Sequence, residues 1–284
     1  MIIFSCLKKE FDLYVKEGII SNKVYDAYKE KMGKKTKLNQ IKSWANSLPM
    51  MSFILQDLPD NTGISIEFNI PLTSKRIDLV VSGYNLNREP VLLLFELKQW
   101  EVISDVKSED AVIKTIISNK EKISLHPSYQ VMCYAELLLN YNKYIDENHI
   151  HVIPLVYLHN YSFKNDDPLL LNKFKKYYTN ASIYGSNDKY MLRAIVNHYI
   201  KFGDDLKLIE YIDNSEVKPN KKLLDAIDKM IQDKKEYTLL DEQKVIAEAI
   251  KWEAKQAFTN NQKSVVIVSG GPGTGKSVLA INLL

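Results

Sequence analysis

The hydrophobic pattern in the first third of the chain predicts helices followed by strands. Residues 6–58 carry apolar side chains at roughly helical spacing, which predicts helices interrupted near two glycines. Residues 64–70 (ISIEFNI) alternate strictly between apolar and polar types. This alternation predicts a strand with its four apolar side chains on one face. Residues 75–83 (KRIDLVVSG) and 91–100 (VLLLFELKQW) predict two further strands.

The remainder of the first 205 residues alternates helices with short strands. Residues 104–124 are polar and irregular, with some helical character. A helix is predicted over 126–142, where a proline suits the first helical position, and a strand is predicted over 151–160. Further helices are predicted at 167–178 and 189–203, on either side of a short strand at 181–185. This order of elements predicts an α/β domain with a mixed sheet.

The strand VLLLFELKQW contains a carboxylate and an ammonium in an apolar setting. Six of its first seven residues are apolar, yet Glu96 and Lys98 follow two residues apart, and burying charge is costly unless the charge is paired or holds a metal. Asp78 occupies a similar position within RIDLVV on the preceding strand. A hairpin between the two strands would bring Asp78 beside Glu96. We expect a hard divalent cation such as Mg²⁺ or Mn²⁺ to join the two carboxylates.

Two sequence motifs carry a resemblance to known nucleases. RIDLVV followed by FELK resembles the signature of the PD-(D/E)XK nuclease superfamily, with isoleucine where the family usually has proline before its aspartate. QVMCY places Gln130 and Tyr134 four residues apart on one helix face, similar to the Gln-x-x-x-Tyr motif of RecB-like nucleases. The resemblance implies a restriction-endonuclease-like mixed sheet flanked by helices.

The resemblance also implies a role for each matching residue. Asp78 and Glu96 would bind Mg²⁺ or Mn²⁺, and Lys98 would assist attack of water on a phosphodiester. Gln130 and Tyr134 would support the substrate and the active site.

One further ligand and one alternative stay open. Some family members add an upstream acidic ligand, for which Glu67 on the neighbouring strand is the candidate. In the alternative interpretation, Glu96 and Lys98 pair at an exposed strand end while Asp78 pairs with Arg76. A degenerate nuclease fold that only binds nucleic acid is a further alternative.

The end of the chain carries a nucleotide-binding pattern. Residues 264–284 (SVVIVSGGPGTGKSVLAINLL) predict a strand, a glycine-rich turn and the start of a helix, and satisfy G-x-x-x-x-G-K-[ST]. Glycines let backbone N–H groups surround phosphates, and the lysine and serine reach the phosphates and Mg²⁺. The predicted nucleotide-contacting residues are Gly270, Gly273, Gly275, Lys276 and Ser277.

The segment before this loop resembles a helicase motif. Residues 237–250 (YTLLDEQKVIAEAI) resemble the Q motif of superfamily-1 helicases, which implies that Gln243 reads the adenine of ATP. Together the two motifs resemble the opening of a Schlafen group 3-type DNA/RNA helicase domain. The chain stops seven residues after Ser277, without a Walker B acid, so we expect an incomplete P-loop NTPase domain that hydrolyses no ATP.

These features divide the chain into three predicted parts: a PD-(D/E)XK nuclease-like domain at 1–205, a charged helical connector at 206–236, and a helicase fragment at 237–284. The predicted function is metal-dependent hydrolysis of DNA, with RNA as an alternative substrate, by a nuclease–helicase in DNA repair or defence against phage. The remainder of the helicase domain would be its partner. The rival hypotheses are a non-catalytic nucleic-acid-binding module that regulates the helicase, and a protein-interaction scaffold.

Composition and charge bear on the expected partners and on the cellular compartment. The net charge is only +3, but residues 29–42 carry six lysines and one glutamate, a pattern that suits a phosphate backbone or a solvated face. No apolar run approaches 18 residues, so no membrane partner is expected. The two cysteines, Cys6 and Cys133, lack metal-ligand spacing and indicate reduced thiols in a cytoplasmic protein.

Overall fold

The computed structural model describes most of the chain. The described residues are 2–33, 35–70, 73, 75–106, 110–117, 120–219, 239, 242–271 and 275–283. The strands are β1 (Ile2–Leu7), β2 (Gly63–Asn69), β3 (Arg76–Tyr84), β4 (Pro90–Lys98), β5 (Ile103–Ser104), β6 (Val112–Ile117), β7 (Lys120–Leu125), β8 (His151–Leu158) and β9 (Ser182–Gly185). The helices are α1 (Lys8–Lys16), α2 (Ile20–Met32), α3 (Leu38–Ile54), α4 (Pro127–Tyr141), α5 (Lys143–Glu147), α6 (Lys175–Tyr178), α7 (Lys189–Tyr199), α8 (Lys207–Asp213), α9 (Glu242–Thr259) and α10 (Lys276–Leu283).

Some predicted features lie outside the described residues. They are 220–236 of the predicted connector, positions 237, 238, 240 and 241 of the Q-motif stretch, Gly273, and the side chain of Ser277.

A mixed six-stranded sheet forms the centre of the fold, in the order β1-β2-β3-β4-β8-β9. The first four strands are antiparallel neighbours, whereas β8 is parallel to β4 and β9 is parallel to β8. Helix α4 provides the crossover between the parallel strands β4 and β8. The predicted α/β fold with a mixed sheet flanked by helices is therefore confirmed.

Two hydrophobic cores cover the two faces of this sheet. The first core draws on α1, α2, α3 and α7, for example through Phe11, Val24, Trp44 and Val196. The second core draws on α4, α5, α6 and α8, for example through Val131, Ile145, Tyr177 and Ile209. Consecutive residues Val80 and Val81 of β3 enter opposite cores, as the pleat of a strand requires.

The apolar side chains along strand β2 switch from one face of the sheet to the other. Ile64 and Ile66 lie in the first core, but Phe68 and Ile70 lie in the second. The prediction that all four share one face is therefore wrong. Glu67, between the two pairs, has a φ of 56°, a left-handed conformation that non-glycine residues rarely adopt. We attribute the change of face to this residue.

Two other predictions from the pattern are wrong. The described residues of segment 104–124 form no helix. They contain β6 and β7, which with β5 make a separate three-stranded sheet. The β-branched run 264–268 forms no strand, and Val265 and Ile267 are each 86% exposed. Among the described residues, no strand lies beside this run to supply a hydrogen-bonded ladder.

Three boundaries also differ from the predictions. Cys6 and Leu7, predicted helical, end strand β1, which pairs with β2. Residues 167–178 form two 3₁₀ turns before the short α6. Helix α8, which the sequence assigned to the connector, packs Leu208, Ile209 and Ile212 into the second core.

Candidate active site

Three carboxylates lie in one row across adjacent strands. Leu79 of β3 pairs with Ile66 of β2 and with Phe95 of β4, and these two pairs fix the register of the three strands. The next residue in each strand is then Glu67, Asp78 and Glu96, respectively. The predicted hairpin between β3 and β4 is confirmed, and its register brings Asp78 beside Glu96.

Asp78 occupies the point where the ladder between β3 and β4 ends. The last pair is Leu79 with Phe95, and beyond it the backbone N–H of Leu97 donates to Oδ2 of Asp78 at 2.8 Å. Burial and the negative charge of Glu96 raise the pKa of Asp78 well above its usual range, against the opposing charge of Lys98. A proton or a cation at this carboxylate would relieve the repulsion.

Lys98 links β4 to helix α4. Its Nζ donates to Oε1 of Glu96 at 2.5 Å and to Oε1 of Gln130 at 3.1 Å. Nε2 of Gln130 in turn donates to Oη of Tyr134 at 3.0 Å. The ammonium also lies 5.1 Å from the centre of the Trp100 ring. The ammonium therefore contacts Glu96, Gln130 and Trp100. Its contact with Gln130 is supported by Tyr134, which lies one helical turn further along α4.

A proline and a histidine cap fix the N-terminus of α4, so that the helical turn from Gln130 to Tyr134 faces the sheet. Pro127 takes the first helical position, and Nδ1 of His126 accepts the backbone N–H of Ser128 at 3.3 Å. Nε2 of His126 lies 3.0 Å from the carbonyl oxygen of Leu169, which can only accept, so Nε2 carries the proton. Complete burial lowers the pKa of His126 to about 4. The ring is therefore a neutral cap.

Glu67 is held by donors from two elements. Its Oε1 accepts from Gln40 at 2.7 Å and from Trp44 at 2.8 Å, both on α3. Its Oε2 accepts from Nε of Arg76 at 2.7 Å. Arg76 therefore pairs with Glu67, whereas the alternative interpretation paired it with Asp78. Sequence reasoning missed Gln40 and Trp44, although their spacing of four places two donors on one face of a helix.

Five of the six residues predicted for the nuclease site line an open cavity of about 630 Å³, which we call the charged cleft. Its lining includes Asp78, Lys98, Gln130 and Tyr134. Glu96 is only 2% exposed and joins the charged cleft through the Lys98 ammonium. The alternative interpretation, an exposed strand end, does not describe this environment.

The charged cleft also contains cations that sequence reasoning missed. Lys75 and Lys122 join Arg76 and Lys98 in its lining. Lys75 precedes β3 and Lys122 lies on β7, so the strand and helix motifs alone gave no signal for them. Their ammonium groups suit an anionic ligand that enters beside the carboxylates.

The donor set fits a hard divalent cation with few protein ligands. Asp78 and Glu96 provide carboxylate oxygens on neighbouring strands. Burial and the charge of Glu96 raise the pKa of Asp78, and a cation would stabilise its ionised form. Within the described ranges, no group of three or more His, Cys, Asp and Glu residues is arranged to hold a metal. Mg²⁺ commonly accepts one or two carboxylates and leaves its other positions to water and phosphate.

The described residues of the glycine-rich loop contact Lys276 and Gln243. Nζ of Lys276, the first residue of α10, donates to the carbonyl oxygens of Gly270 at 2.8 Å and Gly271 at 2.7 Å. Gly275 has a φ of +79°, and a Cβ there would lie 2.1 Å from Nε2 of Gln243. The residue expected to read adenine therefore lies against the loop expected to bind phosphates.

Helix α9 forms two ion pairs with residues of segment 1–205. Lys75 lies 2.7 Å from Glu242, and Lys244 lies 2.8 Å from Asp110. Glu242 thereby forms part of the lining of the charged cleft, as do Val245 and Ile246 of the same helix. The two predicted domains thus share this wall.

Comparisons with known proteins identify no relative. A scan against protein-family models finds no match, and searches of the curated proteins and of the solved structures find none either. Across the described residues, no helix combines the length and the apolar character needed to cross a bilayer. Cys6 and Cys133 are both buried thiols.

Proposed function

We propose that residues 1–205 form a metal-dependent nuclease that hydrolyses phosphodiester bonds in DNA, with RNA as an alternative substrate. The observation that carries this proposal is the convergence of Asp78, Glu96 and Lys98 with the Gln130–Tyr134 pair at one charged cleft. This is the arrangement implied by the resemblance to PD-(D/E)XK nucleases, built from three separate elements of the chain.

Each residue has a chemical task in this proposal. Asp78 and Glu96 would hold Mg²⁺ or Mn²⁺, and a bound ion would supply positive charge at the phosphate and make water a better nucleophile. Lys98 donates hydrogen bonds toward the attacking water and the developing negative charge. Gln130 fixes the Lys98 ammonium, and Tyr134 fixes Gln130.

The surroundings supply a path for a polyanion. Lys75, Arg76 and Lys122 line the charged cleft, and so does Gln40, a residue of the lysine-rich segment 29–42. Lysine and arginine side chains that neutralise phosphates provide most of the affinity for nucleic acid, in a manner that weakens with salt. These cations therefore favour a nucleic-acid substrate over a small neutral one.

We propose that residues 237–284 are the opening of a superfamily-1 helicase domain that binds ATP. The contact between Gln243 and Gly275, together with the start of α10 at Lys276, supports this proposal. A nuclease joined to such a motor fits DNA repair or defence against phage, an inference that rests on analogy with other nuclease–helicase proteins.

Cleavage of labelled DNA in Mg²⁺ or Mn²⁺ tests the nuclease. We expect Asp78→Asn and Lys98→Gln to reduce the rate by about a hundredfold or more, because each removes a group that stabilises the transition state. The matched control is Asp146→Asn, at an exposed position on α5. Equal rates in all variants would refute the assignment. DNA binding without cleavage in any metal would favour the non-catalytic binding module instead.

A further inference from the structure

The described lining of the charged cleft includes four cationic side chains, and two of them are already compensated within the candidate active site. Arg76 pairs with the carboxylate of Glu67, and Lys98 pairs with that of Glu96. The carboxylate that pairs with a third cation comes from a distant part of the chain.

This carboxylate belongs to Glu242, the first residue of α9, and it lies in the field of the other two cations. Nζ of Lys75, the residue before β3, lies 2.7 Å from Oε2 of Glu242. The hydrogen bond from Lys75, together with the charges of Lys75 and of Lys122 on β7, lowers the pKa of Glu242 against the opposing effect of burial. All three residues line the charged cleft.

A position that holds a carboxylate beside lysines also suits a phosphate. Both groups are oxyanions that accept charge-assisted hydrogen bonds, and a lysine ammonium binds either of them as a point charge. The same cleft contains Asp78 and Lys98, so a polymer of phosphates can reach both this position and the candidate metal site. A free phosphate would gain from only one of them. The shared cleft therefore favours the backbone of a nucleic acid as the ligand.

The start of α9 is anchored to segment 1–205, which keeps Glu242 at the cleft. Oη of Tyr129 donates to the carbonyl oxygen of Leu239, three residues before Glu242, at 2.5 Å. Nζ of the buried Lys244 lies 2.8 Å from Oδ2 of Asp110. A group that is tethered beside its site competes with free ligands at an effective concentration on the order of millimolar. Glu242 is therefore placed to compete with an incoming phosphate.

The Glu242 side chain can be replaced at little cost. It is 77% exposed, and its contact with Lys75 is an ion pair at the surface. Such pairs contribute little to stability, because water and salt screen the two charges. A phosphate of a nucleic acid that is held elsewhere in the cleft can therefore displace this carboxylate.

We propose that Lys75 and Lys122 form a phosphate subsite for the nucleic-acid backbone, which the Glu242 carboxylate occupies until a phosphate replaces it. This inference rests on the proposed function and deepens it, since it assigns residues that hold the substrate away from the candidate metal site. Glu242 thereby acts as a built-in competitor that weakens nucleic-acid binding.

A double-mutant cycle tests whether Glu242 acts on the subsite or only repels nucleic acid at a distance. The variants are Glu242→Gln, Lys75→Ala and their combination. Fluorescence anisotropy measures the affinity for a labelled DNA oligonucleotide, both single-stranded and as a duplex, across a salt series. A chelator prevents cleavage throughout.

The gain from Glu242→Gln should depend on Lys75. Glu242→Gln should bind DNA about threefold more tightly when Lys75 is present, but less than about 1.5-fold more tightly in the Lys75→Ala background. With Lys75 present, the slope of log K against log salt should steepen by about 0.7 to 0.9, the value for one further phosphate contact. Repulsion at a distance alone would give the same gain in both backgrounds.

Lys122 and two matched controls complete the experiment. In the Glu242→Gln background, Lys122→Ala should bind DNA about threefold more weakly and lose the slope of about one phosphate contact. Lys120→Ala, on the same strand but outside the described lining of the cleft, should change neither quantity. Glu253→Gln, at an exposed position of α9, should bind like the unaltered protein.

Three outcomes would overturn the inference. They are no binding of either form of DNA, an equal gain from Glu242→Gln with and without Lys75, and a salt slope that Glu242→Gln leaves unchanged. Failure of the nuclease proposal would look different, because cleavage would be absent in Mg²⁺ and Mn²⁺ while this pattern of binding remained intact.

Discussion

The ammonium of Lys75 lies 2.7 Å from Oε2 of Glu242, so an ion pair joins the residue before β3 to the first residue of α9. The next residue, Gln243, lies against Gly275 of the glycine-rich loop. Neighbouring residues of α9 therefore contact the charged cleft and the candidate nucleotide site. The ion pair also places a negative charge at the entrance for phosphates.

Removing that charge should strengthen DNA binding. We expect Glu242→Gln to bind DNA about threefold more tightly at low salt, because Lys75 is released and repulsion of phosphates is lost. Stability should change by less than about 1 kcal/mol, since the pair is exposed. Anisotropy and urea denaturation measure the two quantities, with exposed Glu253→Gln near the other end of α9 as the control. Unchanged or weaker binding would contradict the expectation.

Local pattern was enough to predict the central part of the site. Apolar runs predicted the strands β3 and β4, and the cost of burying charge marked Asp78, Glu96 and Lys98 as partners. The spacing of Gln130 and Tyr134 placed them on one face of α4, as the structure has them. Each of these inferences depends on neighbours within one strand or helix, or on a hairpin between adjacent strands.

The sequence pattern could not predict contacts between segments that lie far apart in the chain. Glu67 has a left-handed conformation and accepts hydrogen bonds from α3 and from Arg76, and no periodicity in the sequence records these features. The β6–β7 hairpin shows no clean alternation of apolar and polar residues, because residues from both of its faces, such as Ile117 and Ile123, line the charged cleft. The approach of α9 to the charged cleft rests on the ion pairs of Lys75 and Lys244.

Asp78 should reduce stability in the absence of metal. Its pKa is raised because burial and Glu96 disfavour its charged form. At neutral pH in a chelator, we expect Asp78→Asn to raise the free energy of unfolding by about 1 kcal/mol, as is common when a functional site loses its charge. Urea denaturation followed by circular dichroism measures this value.

Bound metal should reverse the effect of Asp78 on stability, so that the residue stabilises the folded protein. Adding Mn²⁺ should raise the unfolding midpoint of the unaltered protein, because a ligand that binds only the folded state stabilises it. The midpoint of Asp78→Asn should not respond. Asp146→Asn, on the surface of α5, should respond like the unaltered protein. A Mn²⁺ response that survives in Asp78→Asn would place the ion elsewhere.

Acid should destabilise the protein through His126. The folded pKa is lowered to about 4 from 6.5, so between these values the unfolded chain takes up a proton that the folded chain refuses. The contribution to stability is complete above pH 6.5 and is lost as the pH falls toward 4, by up to about 3 kcal/mol.

The variant His126→Asn isolates this contribution. Asparagine retains a capping acceptor for α4 and does not titrate in this range. Urea denaturation at pH 7.5 and pH 4.5 should show a smaller fall in the variant than in the unaltered protein. His149→Asn, at an exposed position after α5, controls for an ordinary histidine. An equal fall in all three proteins would show that His126 is protonated in the folded state.

Tyr134 should affect cleavage through position alone. Its Oη accepts from Gln130, and Gln130 accepts from Lys98, so Tyr134→Phe removes the acceptor of Gln130 without changing the packing of a residue that is 2% exposed. We expect the maximal cleavage rate to fall about tenfold, because the Lys98 ammonium is less firmly oriented. The Michaelis constant for DNA should change little. Tyr141→Phe, near the end of the same helix, should leave both constants unchanged. A rise in the Michaelis constant at an unchanged maximal rate would instead make Tyr134 a residue that binds substrate.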